Sequence, residues 1–149
     1  LDELIDSVLM KFSKKHPNQK VITQIPEEFV DIPMDSLLIE QVLLNLLENA
    51  VYHSGTDEPI ELNVEKRKNS VAFHVRDRGK GIAPERLSAL FDGGGMERNG
   101  SGDSHKGMGI GLTICKTIVA AHQGTIRAVN HEQGAEFIFT LPLEEQEES

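Results

Sequence analysis

The chain has 149 residues, 38% hydrophobic and 26% charged, which is enough for one domain with its own apolar core. Its net charge of −9 excludes an extended nucleic-acid surface, which needs a basic patch. A single cysteine, Cys115, excludes an internal disulfide and fits a reducing compartment, and no stretch approaches the roughly 20 apolar residues of a membrane span.

Leu1, Leu4, Ile5, Val8, Leu9 and Phe12 recur at helical spacing and predict an opening helix to about Lys14. The chain begins in Leu1-Asp-Glu-Leu-Ile without an initiator methionine and reads as a piece of something longer. His16-Pro-Asn-Gln breaks the helix, and Val21 to Ile25 predicts a short strand stopped by Pro26. Asp35, after Pro33, is an N-cap type for a long helix to about His53. Inside its apolar run, Asn45 and Asn49 stand one turn apart on one face. A buried amide without partners costs about 1–3 kcal/mol, so the pair asks for a ligand or a network.

Ser54 to Pro59 is a turn-rich connector. Ile60 to Arg67 and Val71 to Arg76 alternate apolar and polar residues and predict a hairpin turning at Lys68-Asn69-Ser70. Asp77-Arg-Gly-Lys-Gly81-Ile82 cannot continue a strand. A short helix from Pro84 to Leu90 is expected next, then a glycine-rich tract. A helix from Met108 or Ile110 through His122 follows, with Ile110, Ile114, Ile118 and Ala121 roughly on one side, Cys115 as a core thiol and Gly124 as the C-terminal stop. Thr125 to Asn130 and Glu136 to Leu143 predict a closing hairpin, and Glu144 to Ser149 an acidic, disordered tail.

This order predicts one α/β domain over residues 1–143, a two-layer α/β sandwich. Its sheet should be mixed but mostly antiparallel, with about three helices on one face. The 17 residues from Leu90 to Lys106 include five glycines, a length and composition that suit a functional lid or a disordered segment.

Three constellations carry chemistry. Gly107-Met108-Gly109-Ile110-Gly111-Leu112 opens a helix after the glycine-rich tract, where close backbone approach and free N–H groups suit a phosphate; a hinge or an ordinary first turn is the plainer alternative. No Gly-Lys-Ser/Thr follows a strand and no βαβ unit precedes the glycines, so neither a P-loop nor a dinucleotide fingerprint fits. Asp77, with Gly79 and Gly81, can accept a hydrogen bond from an exocyclic amine beside a flat ring, unless it is only an acidic turn. An amide oxygen of Asn49 or Asn45 can ligate Mg²⁺ beside substrate phosphates, unless the pair is a polar helix face.

The ordered set Asn45-Leu-Leu-Glu-Asn49-Ala50, Asp77-x-Gly79-x-Gly81, Leu90-Phe91 and Gly107-x-Gly109-x-Gly111-Leu112 resembles the boxes of sensor histidine kinases, in the superfamily of the Hsp90, gyrase B and MutL ATPase domains. The stretch from Gly107 to Val119 and the ending Ala135 to Leu143 are most similar to KdpD-type, potassium-responsive, membrane-bound kinases. The resemblance implies the Bergerat ATP-binding fold with ATP and Mg²⁺ as cofactors. It implies that Asn49 binds the Mg²⁺ with Asn45 beside it, and that Asp77 takes the adenine amine. Gly79, Gly81 and Ile82 would shape the adenine pocket, Lys106 and Gly107 to Leu112 would line the phosphates, and Leu90 to Lys106 would be the ATP lid. It also implies a cytoplasmic domain of a membrane-anchored sensor, without membrane contact of its own. Its partners would be its own dimerisation and histidine-phosphotransfer domain and a response regulator.

The chain departs from the family pattern in several places. Tyr52-His53 stands where a Lys or Arg followed by an aromatic is usual; His53 either lines the nucleotide or is a surface residue. Arg98 and Lys106 are the lid's candidate cations, and Ala135 replaces a frequent threonine. None of the six histidines sits in a phospho-acceptor pattern; His131-Glu132 comes nearest, but Gly134 follows and the segment reads as a strand turn. The acceptor histidine therefore lies outside this chain, which is not expected to phosphorylate itself. Two other readings stand: an ATPase or serine kinase of the superfamily, and a nucleotide-sensing module. The first needs a glutamate four residues before Asn49, where Asn45 stands, and Glu40 and Glu48 lie at another helical phase.

Overall fold

A computed structural model describes residues 1–28, 30–54, 58–83 and 103–143, with side chains for all of these except 53, 54 and 103–110. The expected helix at 84–90, the lid tract with Phe91 and Arg98, and the tail at 144–149 lie outside the described residues, apart from the lid's last four positions.

The opening periodicity forms α1 (Asp2–Lys15), which buries Leu4, Ile5, Val8 and Phe12. After β1 (Val21–Gln24) the chain enters α2 (Ser36–Ser54). Asp35 caps α2 as its residue type predicts, Oδ1 accepting the Leu37 N–H at 3.1 Å and the Leu38 N–H at 3.2 Å. The strands β2 (Ile60–Lys66) and β3 (Ser70–Arg76) form the first hairpin. Then α3 (Asp103–Ala121) leads into the second hairpin, β4 (Thr125–Asn130) and β5 (Ala135–Pro142).

The five strands lie in the order β1-β2-β3-β5-β4, with β1 parallel to β2 and every other pair antiparallel. The register sets Leu62 opposite Val75 opposite Phe137, and Val64 opposite Phe73 opposite Phe139. These positions fall on one face of the pleat, and Phe73 and Phe139 stack with centroids 4.6 Å apart. The helices supply the other half of the core through Val42, Leu43, Leu46 and Leu47 of α2 and Leu112, Cys115 and Val119 of α3. The expected two-layer sandwich with a mixed, mostly antiparallel sheet is the fold observed.

Polar contacts tie α1 to α2. Ser7 Oγ donates to Glu40 Oε2 at 2.6 Å and Lys11 Nζ approaches the same oxygen at 3.0 Å. These two hydrogen bonds hold the Glu40 carboxyl below its usual range despite burial. Lys15 and His16 pair with Glu48 at 3.0 and 3.4 Å. At the far end of α2, the Asp35 N–H donates to His122 Nε2 at 3.0 Å. The His122 proton therefore sits on Nδ1, facing the Ile118 carbonyl at 2.8 Å.

Three expectations for α3 change. It begins at Asp103 and not at Met108 or Ile110, because Asp103 and Ser104 are residue types favoured in a first turn and the glycines after them tolerate helical geometry. Its buried stripe is Leu112, Cys115, Ile118 and Val119, so Ile114 and Ala121 lie outward. Its C-terminal left-handed residue is Gln123, at φ 62°, and not Gly124. The Gln123 N–H reaches Ala120 O and the Gly124 N–H reaches Val119 O, both at 2.9 Å, the paired bonds of a Schellman end. Gly124 is required for a different reason: a Cβ there would run into the Thr140 carbonyl oxygen of β5.

Candidate functional site

Asn45 and Asn49 share one face of α2 but meet different surroundings. Asn45 Oδ1 accepts from Gln41 Nε2 at 3.2 Å, and its Nδ2 points to the Gly111 carbonyl at 3.5 Å, so it links α2 to α3. A Cβ on Gly111 would come to 3.7 Å from Asn45 Cγ, an ordinary contact. Asn49 is 4% exposed, and neither Oδ1 nor Nδ2 has a hydrogen-bond partner among the described residues. Both ends of a carboxamide left without partners mark a group held ready for something else. Nearby, Cys115 is buried with its thiol pushed up to about 12 by burial, which makes it an inert core residue.

Asp77 follows the last residue of β3 and is 3% exposed. Its Oδ1 accepts the Gly79 N–H at 2.9 Å and the Ala135 N–H at 3.4 Å, and its own N–H donates to Ala135 O at 3.0 Å. Among the described residues, both hydrogen bonds to the carboxylate fall on Oδ1 and no cation pairs with it. A buried carboxylate without a cation calls for a donor on its second oxygen.

The chain beyond Asp77 crosses the start of β5 and reaches β4. Gly134, at φ 96°, permits the crossing, since a Cβ there would meet the Asp77 carbonyl. Gly81, at φ 83°, turns the loop where a Cβ would come 2.9 Å from Asn130 Oδ1. Asn130 grips the main chain of Ile82 on both sides: Oδ1 accepts its N–H at 2.9 Å and Nδ2 donates to its carbonyl at 2.6 Å. On the turn below, His131 Nε2 and His74 Nδ1 approach the two oxygens of Glu136 at 2.6 and 2.7 Å. Burial pushes the Glu136 carboxyl up, but the hydrogen bonds of His131 and His74 outweigh it and leave the group below its usual range.

The structure thus joins Asn45 to Gly111, and Asp77 to Gly79, Gly81 and Ile82 through Ala135, Gly134 and Asn130. Leu112 packs in the core. Gly107, Gly109 and Gly111 lie inside α3, so the helix terminus expected at Gly107 comes four residues earlier. The side chains of His53, Lys106, Met108 and Ile110 lie outside the described residues. Tyr52, in the place of the family's cation, is 58% exposed. Sequence reasoning missed Asn130 and Gly134 as site residues. Gly134 carried a signal, a lone glycine between two predicted strands.

An α/β sandwich with a buried carboxylate opening a glycine-bounded loop at the end of a central strand, and a buried amide unpaired among the described residues on the covering helix, has the architecture of an ATP-binding domain. A family model described as "Histidine kinase-, DNA gyrase B-, and HSP90-like ATPase" matches residues 34–145, and the chain belongs to that family, as an ATP-binding catalytic domain of the histidine kinase kind. It is 41% identical to the sensor protein KdpD of Clostridium acetobutylicum over 97% of this chain, which spans 16% of that kinase's length. The nucleotide-free catalytic domain of histidine kinase ThkA has a TM-score of 0.81 to it at 29% identity, covering 95% of this chain and 91% of that one. The structure of ThkA in complex with the response regulator TrrA matches with a TM-score of 0.79 at 28% identity, covering 97% of this chain and 40% of that one. Among the described residues no helix is long and apolar enough to cross a membrane.

Proposed function

We propose that this domain presents Mg·ATP for in-line transfer of the γ-phosphoryl group to a histidine on a dimerisation domain outside the chain. A response regulator is then the downstream acceptor, and the parent protein is a potassium- or osmotically responsive sensor of the KdpD kind. The observation that carries the reading is Asp77, a buried carboxylate that among the described residues is bonded through Oδ1 alone and without a cation, beside a loop turned by Gly81. An adenine amine supplies the missing donor, and the side-chain-free Gly79 and Gly81 leave room for the flat ring. Such transfer depends on positioning and charge neutralisation more than on covalent chemistry from the protein.

The residues present fit Mg²⁺ through an amide. Among the described residues no group of three or more His, Cys, Asp or Glu could hold a metal. Magnesium commonly takes one or two protein ligands and fills its octahedron with phosphate oxygens and waters. Asn49 Oδ1, buried and unpartnered among the described residues, is the atom suited to that place. Asn45 Oδ1 already accepts from Gln41, which makes it the weaker candidate. The bound metal would neutralise phosphate charge; the chain's part is to orient the base and the amide.

Hydrolysis as the main activity finds no support in the helix. Glu40 and Glu48 both face α1, where Ser7, Lys11, Lys15 and His16 hold them. The test of the kinase reading is calorimetric titration with Mg·ATP. Asp77→Asn removes the charge and turns an acceptor into a mixed group, so affinity should fall about 10- to 100-fold, the range of a hydrogen bond to a charged group. Affinity equal to the parent's would take Asp77 out of the pocket.

A further inference from the structure

We infer that Asn130 is a positioning residue for the nucleotide base, acting through the Gly79–Ile82 loop on the Asp77 carboxylate; the inference rests on the nucleotide reading of that loop. Asn130 is the last residue of β4 and stands opposite Ala135, the first of β5. Ala135 in turn exchanges main-chain and side-chain contacts with Asp77, just past the end of β3. Three neighbouring strand ends therefore sit under one loop.

The loop needs a fastener. Gly79 and Gly81 carry no side chain to anchor it, and Gly81 holds a positive φ. Asn130 provides the anchor by imitating a strand neighbour: one amide satisfies both the N–H and the carbonyl of Ile82, at 2.9 and 2.6 Å. Its orientation is unambiguous, because the Ile82 N–H demands the oxygen and the Ile82 carbonyl demands the nitrogen. Gly81 packs so closely on Asn130 Oδ1 that even a methyl group would meet it at 2.9 Å.

The consequence reaches the carboxylate by a short path. Gly79, three residues before Ile82, gives its N–H to Asp77 Oδ1 at 2.9 Å. That bond fixes which Asp77 oxygen stays free for the base amine. Releasing Ile82 loosens the Gly79 end of the loop, so Asp77 loses its aim rather than its charge. The loss should therefore fall on base recognition and spare the binding of the phosphates.

The experiment compares Mg·ATP, Mg·inosine triphosphate and Mg·tripolyphosphate on the parent chain, Asn130→Ala and Asn130→Asp. Inosine carries a carbonyl where adenine carries its amine, so Asp77 should make the parent prefer ATP. Asn130→Ala is expected to weaken ATP about tenfold, to leave tripolyphosphate unchanged and to shrink the ATP-over-inosine preference. Asn130→Asp keeps the shape, loses the Nδ2 donor and should act in the same direction, so it decides the question if the alanine variant does not fold. A preference equal to the parent's, or equal losses for all three probes, overturns the inference, the second outcome meaning that Asn130 only supports the fold. Asp77→Asn run alongside separates the two claims: if it keeps the preference for ATP, the reading of the pocket itself fails.

Discussion

A carboxamide buried with neither end paired destabilises the fold that holds it, by about 1–3 kcal/mol. Asn49 is in that position among the described residues, in a stretch of α2 where Leu46, Leu47 and Ala50 are also buried. Leucine has the same branching and the same number of heavy atoms, and asks for no partner. Asn49→Leu should therefore leave the nucleotide-free chain as stable as the parent or more so, by about 1 kcal/mol, or roughly 2–4 °C in melting temperature at this size. The same variant should lose its Mg·ATP binding, and scanning calorimetry with and without Mg·ATP reads both effects on one sample. A lower melting point together with intact ATP affinity would make Asn49 a structural residue. Asn49 and Asp77 were legible in the sequence because each contradicts its surroundings, an amide in an apolar helix and an acid with glycines at a strand end. Asn130 was not, because its partner Ile82 lies 48 residues away and nothing local distinguishes it.

At the scale of one element, α3 shows which sequence signals mislead. Its glycines set the expected start at Met108 or Ile110, yet the helix runs from Asp103 through all three. Each glycine costs about 0.8–1.0 kcal/mol relative to alanine in a helix interior, so this stretch is held below its attainable helix stability. At Gly111 the cost is not sterically imposed, since a Cβ would sit 3.7 Å from Asn45 Cγ. The C-terminal end inverts the usual arrangement, with glutamine in the left-handed position and glycine one residue later. A left-handed non-glycine residue costs about 1–2 kcal/mol. Gln123→Gly should thus raise stability by about 1 kcal/mol, whereas Gly124→Ala should lower it by about 2 kcal/mol or more through collision with the Thr140 carbonyl. Urea unfolding of the two variants checks this, and a stabilised Gly124→Ala would contradict the packing of α3 on β5. That the helix stops near Gly124 was legible; the division of labour between Gln123 and Gly124 was not, because it depends on a strand that comes later in the chain.

Across the whole molecule, hairpins were readable because their pairing is local, while the order β1-β2-β3-β5-β4 was not, because the contacts of β1 with β2 and β3 with β5 join distant segments. That order carries functional weight. On that sheet α2 packs between α1 and α3 and against β2 and β3, and α1 takes the two glutamates of α2 that could otherwise be considered as bases. Glu40 is engaged by Ser7 and Lys11, and Glu48 by Lys15 and His16, leaving the amides Gln41, Asn45 and Asn49, and no carboxylate, on the neighbouring face of α2. An amide cannot take a proton from water, so ATP held there should persist. Among the histidines with described side chains, His16 lies against Glu48, His131 and His74 both bind Glu136, and His122 is fixed between Ile118 and Asp35, so none of these four is offered as a phosphoryl acceptor. Incubated with labelled Mg·ATP, the chain alone should show neither release of phosphate beyond background nor stable phosphohistidine. Saturating Mg·ATP should nevertheless raise its melting temperature, since about 100-fold excess over the dissociation constant adds about 2.7 kcal/mol to stability. Binding without turnover would separate this domain from hydrolases with the same fold. Steady phosphate release from the isolated chain would place a general base in it that the paired glutamates of α2 do not provide.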